Sequence, residues 1–365
     1  MIDRKAKVLV VDDSAIVRKM LTDALAGEPD IEVVGSAPDP FIARDKILAL
    51  QPDILTLDIE MPRMDGLSFL RRLMAHRPMP VIIVSSLAQS GSSASLEALQ
   101  AGAIDVIPKP GGPYSVGQVV DKLKERIRAL RTGPAIRYQK PATVTEPPPP
   151  PSPSQRSYRG NALVVIGAST GGTQAIEGLL TRMPADVPPI VIVQHMPASF
   201  TRLFAERLDG ICPMRVLESQ GSEVLQRGTV YIAPGDYHLL LERQGLQLKT
   251  LLRQGPMVCH QRPAVDVLFS SVARLQGMPV VAVLLTGMGS DGADGMVALR
   301  KVGAETIAEA EDSCVVFGMP KEAIARGGAI HVASLLKIPN LIFQCLEKMA
   351  SQRKSPADAD TRVTA

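Results

Sequence analysis

The chain has 365 residues, 45% hydrophobic and 21% charged, with a net charge of +3. That length suffices for two globular domains. So small a charge, with no basic stripe and no interleaved aromatics, argues against a nucleic-acid partner. Nothing reaches the roughly 18 consecutive apolar residues of a membrane span, so no insertion into a membrane is expected. The N-terminus, MIDRKAKVLVVDD, enters a strand directly and carries no signal-peptide pattern. Cys212, Cys259, Cys314 and Cys345 show no C-x-x-C spacing, which speaks against zinc and a disulfide framework and fits a reducing cytoplasm.

Residues 7–11 (KVLVV) form an apolar run that ends in Asp12-Asp13, and a helical pattern follows from Ile16 to Leu25. The alternation then repeats. Strands are predicted near 31–36, 53–57, 80–84 and 104–107, and helices near 39–50, 64–76, 92–101 and 116–131. Such βα alternation predicts a doubly wound parallel sheet of flavodoxin-like order. Its strand ends carry Asp12, Asp13, Asp58, Ser85 and Lys109. Clustered carboxylates repel one another, so Mg2+ is their natural companion. A carboxylate beside Mg2+ and a lysine is suited to accepting a phosphoryl group. Each residue alone also has a plainer reading, as a helix cap, a turn residue or a solvated lysine.

Residues 1–132 resemble a response-regulator receiver domain through VLVVDDS, LDIEMPRMDG, VSS and KP. The resemblance implies phosphorylation of Asp58 by a histidine kinase, with Mg2+ held by Asp13, Asp58 and the Glu60 carbonyl. It also places Asp12, Ser85 and Lys109 around the phosphoryl group. Ser85 stands where many receivers have Thr, and Val106 where many have an aromatic ring.

Between 133 and 159 the hydrophobic period disappears, and Pro147 to Pro151 are consecutive prolines. This composition predicts an extended, semi-rigid linker. A PxxP ligand for an SH3-like partner is the competing reading.

A second domain is expected over 160–350. Leu163-Val164-Val165-Ile166 reads as a buried strand, Gly167-Ala168-Ser169-Thr170-Gly171 fits the G-x-S-x-G nucleophile pattern, and a helix follows. A tight βα turn with a capping hydroxyl is the plainer reading. PIVIVQ (189–194) is the next buried strand, followed by His195 and a helix near 199–208. Residues 229–252 read as shorter strands, and 264–275 as a helix. VVAVLL (280–285) leads to Gly287-Met288-Gly289-Ser290-Asp291-Gly292. A strand near 304–308 and helices near 319–326 and 334–350 close the domain, and 351–365 read as a disordered tail.

Ser169, His195 and Asp291 each follow a buried strand, so a parallel sheet opens all three on one edge. A serine needs a base, and the base needs a carboxylate to fix its tautomer. The order Ser, His, Asp differs from that of α/β-hydrolases, so a Rossmann-like serine hydrolase is the better fit. Glycine-rich backbone around Met288 and at the helix start near Gly171 offers candidate oxyanion-hole N–H groups. His238, His260 and His331 are rival histidines. The glycine pattern at 287–292 also matches a dinucleotide fingerprint with Glu309 or Glu311 as ribose ligand, although Asp291 would repel the phosphates. A binding module without hydrolase activity is a further alternative.

IGASTGG, VQHMP, YIAPGDYH, RPAVDVLF and LLTGMGSDGADG resemble the catalytic domain of the chemotaxis protein-glutamate methylesterases. The resemblance implies hydrolysis of glutamyl methyl esters, and deamidation of glutamines, on methylated chemoreceptors in the cytoplasm. It makes Ser169 the nucleophile, His195 the base and Asp291 its orienting partner, with Thr170 and the Met288 N–H supporting the oxyanion and no cofactor at that site. It also suggests that the unphosphorylated receiver occludes the hydrolase.

Overall fold

The structure is a computed structural model that describes residues 4–86, 93–110, 115–132, 161–275 and 277–354. It divides into two compact units, Met1–Thr145 and Glu146–Ala365. The proline-rich segment expected over 133–159 lies outside the described residues, as does the tail beyond 354.

In the first unit, β1 (Ala6–Val11), β2 (Ile31–Ala37), β3 (Ile54–Leu57), β4 (Val81–Ser85) and β5 (Asp105–Pro108) pair in the order β2-β1-β3-β4-β5. Every pairing is parallel. Helices α1 (Ala15–Ala26), α2 (Pro40–Leu50), α3 (Gly66–His76), α4 (Ser93–Gln100) and α5 (Val116–Thr132) alternate with the strands. Val8, Leu9 and Val10 are buried on both faces of β1, and for that reason the strand reads as a continuous apolar run rather than an alternation. Helix starts are set by side chains. Ser14 accepts from the Val17 N–H, Asp39 from Phe41 and Ile42 ahead of Pro40, and Asp65 from Ser68. The strand order makes β1 and β3 neighbours, so their carboxyl ends meet at the topological switch point.

The second unit holds a seven-stranded sheet in the order β14-β13-β12-β6-β7-β9-β8. Its strands are β6 (Leu163–Ala168), β7 (Ile190–Gln194), β8 (Arg215–Glu218), β9 (Thr229–Ile232), β12 (Val280–Leu284), β13 (Glu305–Glu309) and β14 (His331–Ala333), all parallel. Separately, β10 (His238–Gln244) and β11 (Gln247–Arg253) form an antiparallel hairpin. Helices α6 (Gly172–Leu180), α7 (Ala198–Ile211), α8 (Val265–Ala273), α9 (Ala293–Lys301), α10 (Met319–Ala325) and α11 (Ile338–Lys354) complete the unit. The core is aliphatic, with Tyr231, Phe204 and Phe269 as its largest fully buried side chains.

Two sequence expectations change. The strands expected over 229–252 are of two kinds, since β9 joins the parallel sheet while β10 and β11 pair only with each other. The helix expected to stop at 350 continues through Lys354, so residues 351–354 are helical rather than tail. Strand β8 escaped the apolar-run criterion because it is four residues long at the sheet edge, with exposed Arg215 and only Val216 fully buried.

Candidate functional site

At the carboxyl edge of the first sheet, Asp12 and Asp58 are each 1% exposed. The Lys109 Nζ lies 2.8 Å from Asp12 Oδ2 and 2.8 Å from Asp58 Oδ2. Burial pushes the Asp58 carboxyl up, against the pull of Lys109 and with help from Asp12. Burial opposes the charge on Lys109, but the two carboxylates outweigh it and raise the amine. Asp13 is exposed, and its carboxylate comes within 4.8 Å of those of Asp12 and Asp58. Asp58 Oδ1 is buried and accepts no hydrogen bond among the described residues, whereas Asp12 Oδ2 has the Lys109 ammonium as its partner. An unsatisfied carboxylate oxygen of this kind is the hard donor that Mg2+ takes. Asp12, Asp13 and Asp58 together bring three carboxylates within reach of one cation. Glu60 is exposed, and its backbone N–H acts against the burial that raises the Asp58 carboxyl. Ser85 is fully buried at the end of β4, with its carbonyl accepting from the Lys109 N–H at 3.1 Å. Gly66 of the MDG motif has no room for a side chain, because a Cβ there would lie 1.9 Å from the Asp58 carbonyl oxygen.

In the second unit Ser169, His195 and Asp291 follow β6, β7 and β12, three adjacent strands. The chain leaves β6 through Ser169 and Thr170 and enters α6 at Gly171, whose φ is +78°. Gly172 leaves space for the Gln194 amide, since a Cβ there would lie 2.1 Å from Gln194 Oε1. Gln194 Nε2 in turn donates to the Ser169 carbonyl at 2.9 Å. The Ser169 N–H donates to the Thr286 carbonyl at 3.0 Å, and a Cβ on Gly287 would lie 2.8 Å from Ser169 Cβ. These contacts hold the serine in a tight turn at the sheet edge, where only 5% of it is exposed. Thr170 Oγ1 is buried and has no hydrogen-bond partner among the described residues.

His195 is held at both ends. Its N–H donates to the Ala168 carbonyl at 3.1 Å, beside the nucleophile turn. Its ring Nε2 lies 2.8 Å from Asp291 Oδ2. An ionised carboxylate only accepts, so this bond assigns the proton to Nε2 and leaves the lone pair on Nδ1. Nδ1 is buried and has no partner among the described residues.

Asp291 is 2% exposed. Besides His195 it accepts from the Val265 N–H at 2.6 Å and the Asp266 N–H at 2.9 Å. These are first-turn N–H groups of α8, where a helix presents unpaired donors and positive partial charge. The relation is reciprocal, because Asp266 Oδ1 accepts from the Gly295 N–H of α9 at 2.6 Å. Each helix start therefore holds the carboxylate that precedes or opens the other. Burial, reinforced by Asp291, pushes the Asp266 carboxyl up to about 6 despite those N–H bonds.

The remaining candidates sort by their partners. His238 uses both ring nitrogens structurally, Nε2 toward the Pro256 carbonyl at 3.0 Å and Nδ1 accepting from Ala264 at 3.3 Å. His331 pairs with Glu305 Oε2 at 2.8 Å, and Lys348 with Glu305 Oε1 at 2.7 Å. Cys345 lies beside them with its thiol pushed up to about 11 by burial, so this group has its charge already satisfied. His260 is exposed at a φ of +60°. Of the two carboxylates offered as a ribose ligand, Glu311 is exposed and Glu309 is excluded. That side chain is fully buried and bound to the Thr286 N–H at 2.8 Å, out of reach of a ribose. Sequence patterns did not single out Gln194, Asp266 or Thr286 as supports for the site. They lie within or beside apolar runs, and what marks them is their polarity at buried positions.

Residues 164–342 match the CheB methylesterase family, and residues 8–121 match the response regulator receiver domain. A protein-glutamate methylesterase/protein-glutamine glutaminase 2 of Syntrophus aciditrophicus is 52% identical over 340 residues, covering 93% of this chain and 99% of that protein. A protein-glutamate methylesterase/protein-glutamine glutaminase 1 of Geobacter metallireducens is 48% identical, covering 95% and 97%. The crystal structure of the Thermotoga maritima CheB methylesterase catalytic domain is 40% identical at a TM-score of 0.49, covering 51% of this chain and 98% of that one. The chain belongs to the protein-glutamate methylesterase/protein-glutamine glutaminase family, with a receiver domain ahead of a CheB methylesterase domain.

Proposed function

We propose that this chain is a phosphorylation-controlled serine hydrolase that removes methyl esters from glutamate side chains of chemoreceptors and deamidates glutamines there, acting in the cytoplasm. The observation that carries this reading is His195, with Nε2 on the Asp291 carboxylate and a buried Nδ1, beside the nucleophile turn, that has no partner among the described residues. In this reading the base works through Nδ1. Ser169 Oγ attacks the ester carbonyl and gives its proton to His195 Nδ1. The tetrahedral intermediate collapses, the imidazolium returns that proton to the departing methoxide, and methanol leaves. A water then attacks the glutamyl-serine ester, with Nδ1 taking its proton. Collapse restores Ser169 and frees the glutamate. With a glutamine the same steps release ammonia. Asp291 stabilises the imidazolium, and Thr170 with the Met288 N–H supports the oxyanion.

At the other edge, Asp58 is the phosphoryl acceptor from a histidine kinase. Asp12, Asp13 and Asp58 supply oxygens for Mg2+, with the Glu60 carbonyl as a further ligand, and the cation would offset charge on the transferring group. Lys109 neutralises the same oxygens, and Ser85 donates to the phosphoryl. The test uses a receptor fragment carrying glutamyl methyl esters, with methanol release and receptor mass as readouts. The wild-type chain should demethylate it and Ser169→Ala should not. Near-normal release by a folded Ser169→Ala variant would overturn the assignment.

A further inference from the structure

One buried carboxyl in the second unit has no part in the hydrolytic steps. Glu309, the last residue of β13, is fully buried. Its Oε2 accepts from the Thr286 N–H at 2.8 Å, and its Oε1 from Ser313 Oγ at 3.0 Å. Thr286 is the hub of the nucleophile turn. Its carbonyl accepts from the Ser169 N–H at 3.0 Å, and its hydroxyl donates to the Thr170 carbonyl at 3.0 Å. That hydroxyl also accepts from the Val316 N–H at 2.9 Å, and the Val316 carbonyl accepts from Gly287 at 3.0 Å. Both the serine turn and the loop leading to Met288 are thus tied to Thr286. The acceptor for the Thr286 N–H is supplied by one side chain, Glu309.

We propose that Glu309 is a positioning residue for the hydrolase site, holding Thr286 and through it the backbone of Ser169 and Thr170. The inference rests on the hydrolase reading above. A charge-assisted bond to the Thr286 N–H is stronger than one to a neutral acid, so the hold depends on the ionisation of Glu309. Burial pushes this carboxyl up to about 7, with Asp312 adding repulsion and the Cys314 thiol lying against the same residue. The surroundings accommodate both forms. When Glu309 is ionised, Ser313 donates to it. When it is protonated, its O–H can donate to Ser313 Oγ, and the Ser313 hydroxyl turns to the Ala310 carbonyl at 3.3 Å. The Leu335 N–H donates to Ser313 Oγ at 3.0 Å and anchors that hydroxyl.

Glu309→Gln in the full chain is the direct test, because the amide imitates the neutral acid. At pH about 8 kcat should fall about fivefold with KM unchanged, the difference between a charge-assisted and a neutral hydrogen bond. At pH about 6 the wild-type carboxyl is itself protonated, so the ratio of wild-type to variant kcat should approach one. Taking that ratio cancels every pH effect that the two proteins share. Labelling of Ser169 by a fluorophosphonate probe should show the same pH-dependent ratio without any receptor. A wild-type chain that reacts while the folded variant keeps a ratio of one throughout overturns the Glu309 proposal alone. So does a loss that is constant with pH, which would mark a merely structural role. A wild-type chain inert to both ester and probe overturns the hydrolase reading and this one with it.

Discussion

Asp291→Asn tests fold and chemistry together, because three donors converge on that carboxylate. Oδ2 accepts from His195 Nε2 and the Val265 N–H, and Oδ1 from the Asp266 N–H. An asparagine has one accepting oxygen. With that oxygen at the Oδ2 position, its NH2 faces the Asp266 N–H. With the amide reversed, the NH2 faces both the Val265 N–H and His195. In either arrangement at least one buried N–H of α8 loses its acceptor, at a cost of about 1–3 kcal/mol. Thermal midpoints of domains this size move by about 2–4 °C per kcal/mol, so the midpoint should drop by roughly 2–12 °C. The reversed amide also drives the imidazole proton to Nδ1 and removes the lone pair that the base needs. A triad carboxylate changed to its amide loses about ten-thousandfold in kcat by this route. The assay pairs calorimetry of the full chain with methanol release from methylated receptor. Unchanged melting would mean that the α8 N–H groups do not depend on Asp291. Unchanged kcat would mean that Asp291 does not set the tautomer.

The other predictions concern both edges. Asp58→Asn should abolish labelling by a small-molecule phosphodonor, as should chelation of Mg2+ from the wild type, since the amide is a poor nucleophile and removes one of the carboxylates beside Lys109; stable full labelling of the variant would exclude Asp58. The Glu309 carboxyl is raised from 4.5 to about 7, so the folded chain keeps a proton that the unfolded chain has lost. Its contribution to stability is complete below about pH 4.5 and is lost as pH rises through about 7. Glu309→Gln should therefore gain on the wild type across that window, on the order of 3 kcal/mol at most, in denaturant titrations at several pH values. A difference that does not change with pH would refute the shift. A fragment from Gly160 onward should hydrolyse receptor faster than the unphosphorylated full chain; an equal or slower folded fragment would assign the receiver a role in targeting or activation instead.

Much of the fold was legible because parallel strands buried on both faces read as unbroken apolar runs, and β1, β6, β7 and β12 all do so. The strand ends then located Asp12, Asp58, Ser169, His195 and Asp291 without any measured distance. What stayed hidden is what a linear pattern does not encode. No local signal pairs Asp291 with the start of α8 or Asp266 with that of α9, because these contacts cross 25 and 29 residues of chain. Nor does sequence choose which imidazole nitrogen faces the carboxylate. Glu309 was misleading in a useful way. Its spacing from Gly287 suggested a ribose ligand, but it ends a buried strand beside β12, and only the register shows it turned onto the Thr286 backbone.

Where the two units leave polar atoms unsatisfied bears on what the sites are for. A buried donor or acceptor without a partner costs about 1–3 kcal/mol, so a fold under selection for stability alone has reason to remove it. Among the described residues, such side-chain atoms are Thr56 Oγ1, Asp58 Oδ1, Thr170 Oγ1, Gln194 Oε1, His195 Nδ1 and Arg262 Nε, while Asp12 Oδ2 is held by Lys109 Nζ at 2.8 Å. Asp12 and Asp58 belong to the carboxyl edge of the first sheet, and Thr170, Gln194 and His195 to that of the second. Their chemistry differs with the edge. The first leaves an acceptor oxygen of a carboxylate beside a lysine, which suits a cation and a transferred anionic group. The second leaves a lone pair and a hydroxyl beside a serine, which suits proton removal from an oxygen nucleophile. Substituting Thr170→Val, which keeps the shape but removes the orphaned hydroxyl, separates cost from use. If the hydroxyl supports the oxyanion, the variant should be as stable as the wild type or more so, and slower by about tenfold or more in kcat. A variant that is more stable and equally fast would show the hydroxyl to be an unused cost, and would leave the Met288 N–H as the support to examine.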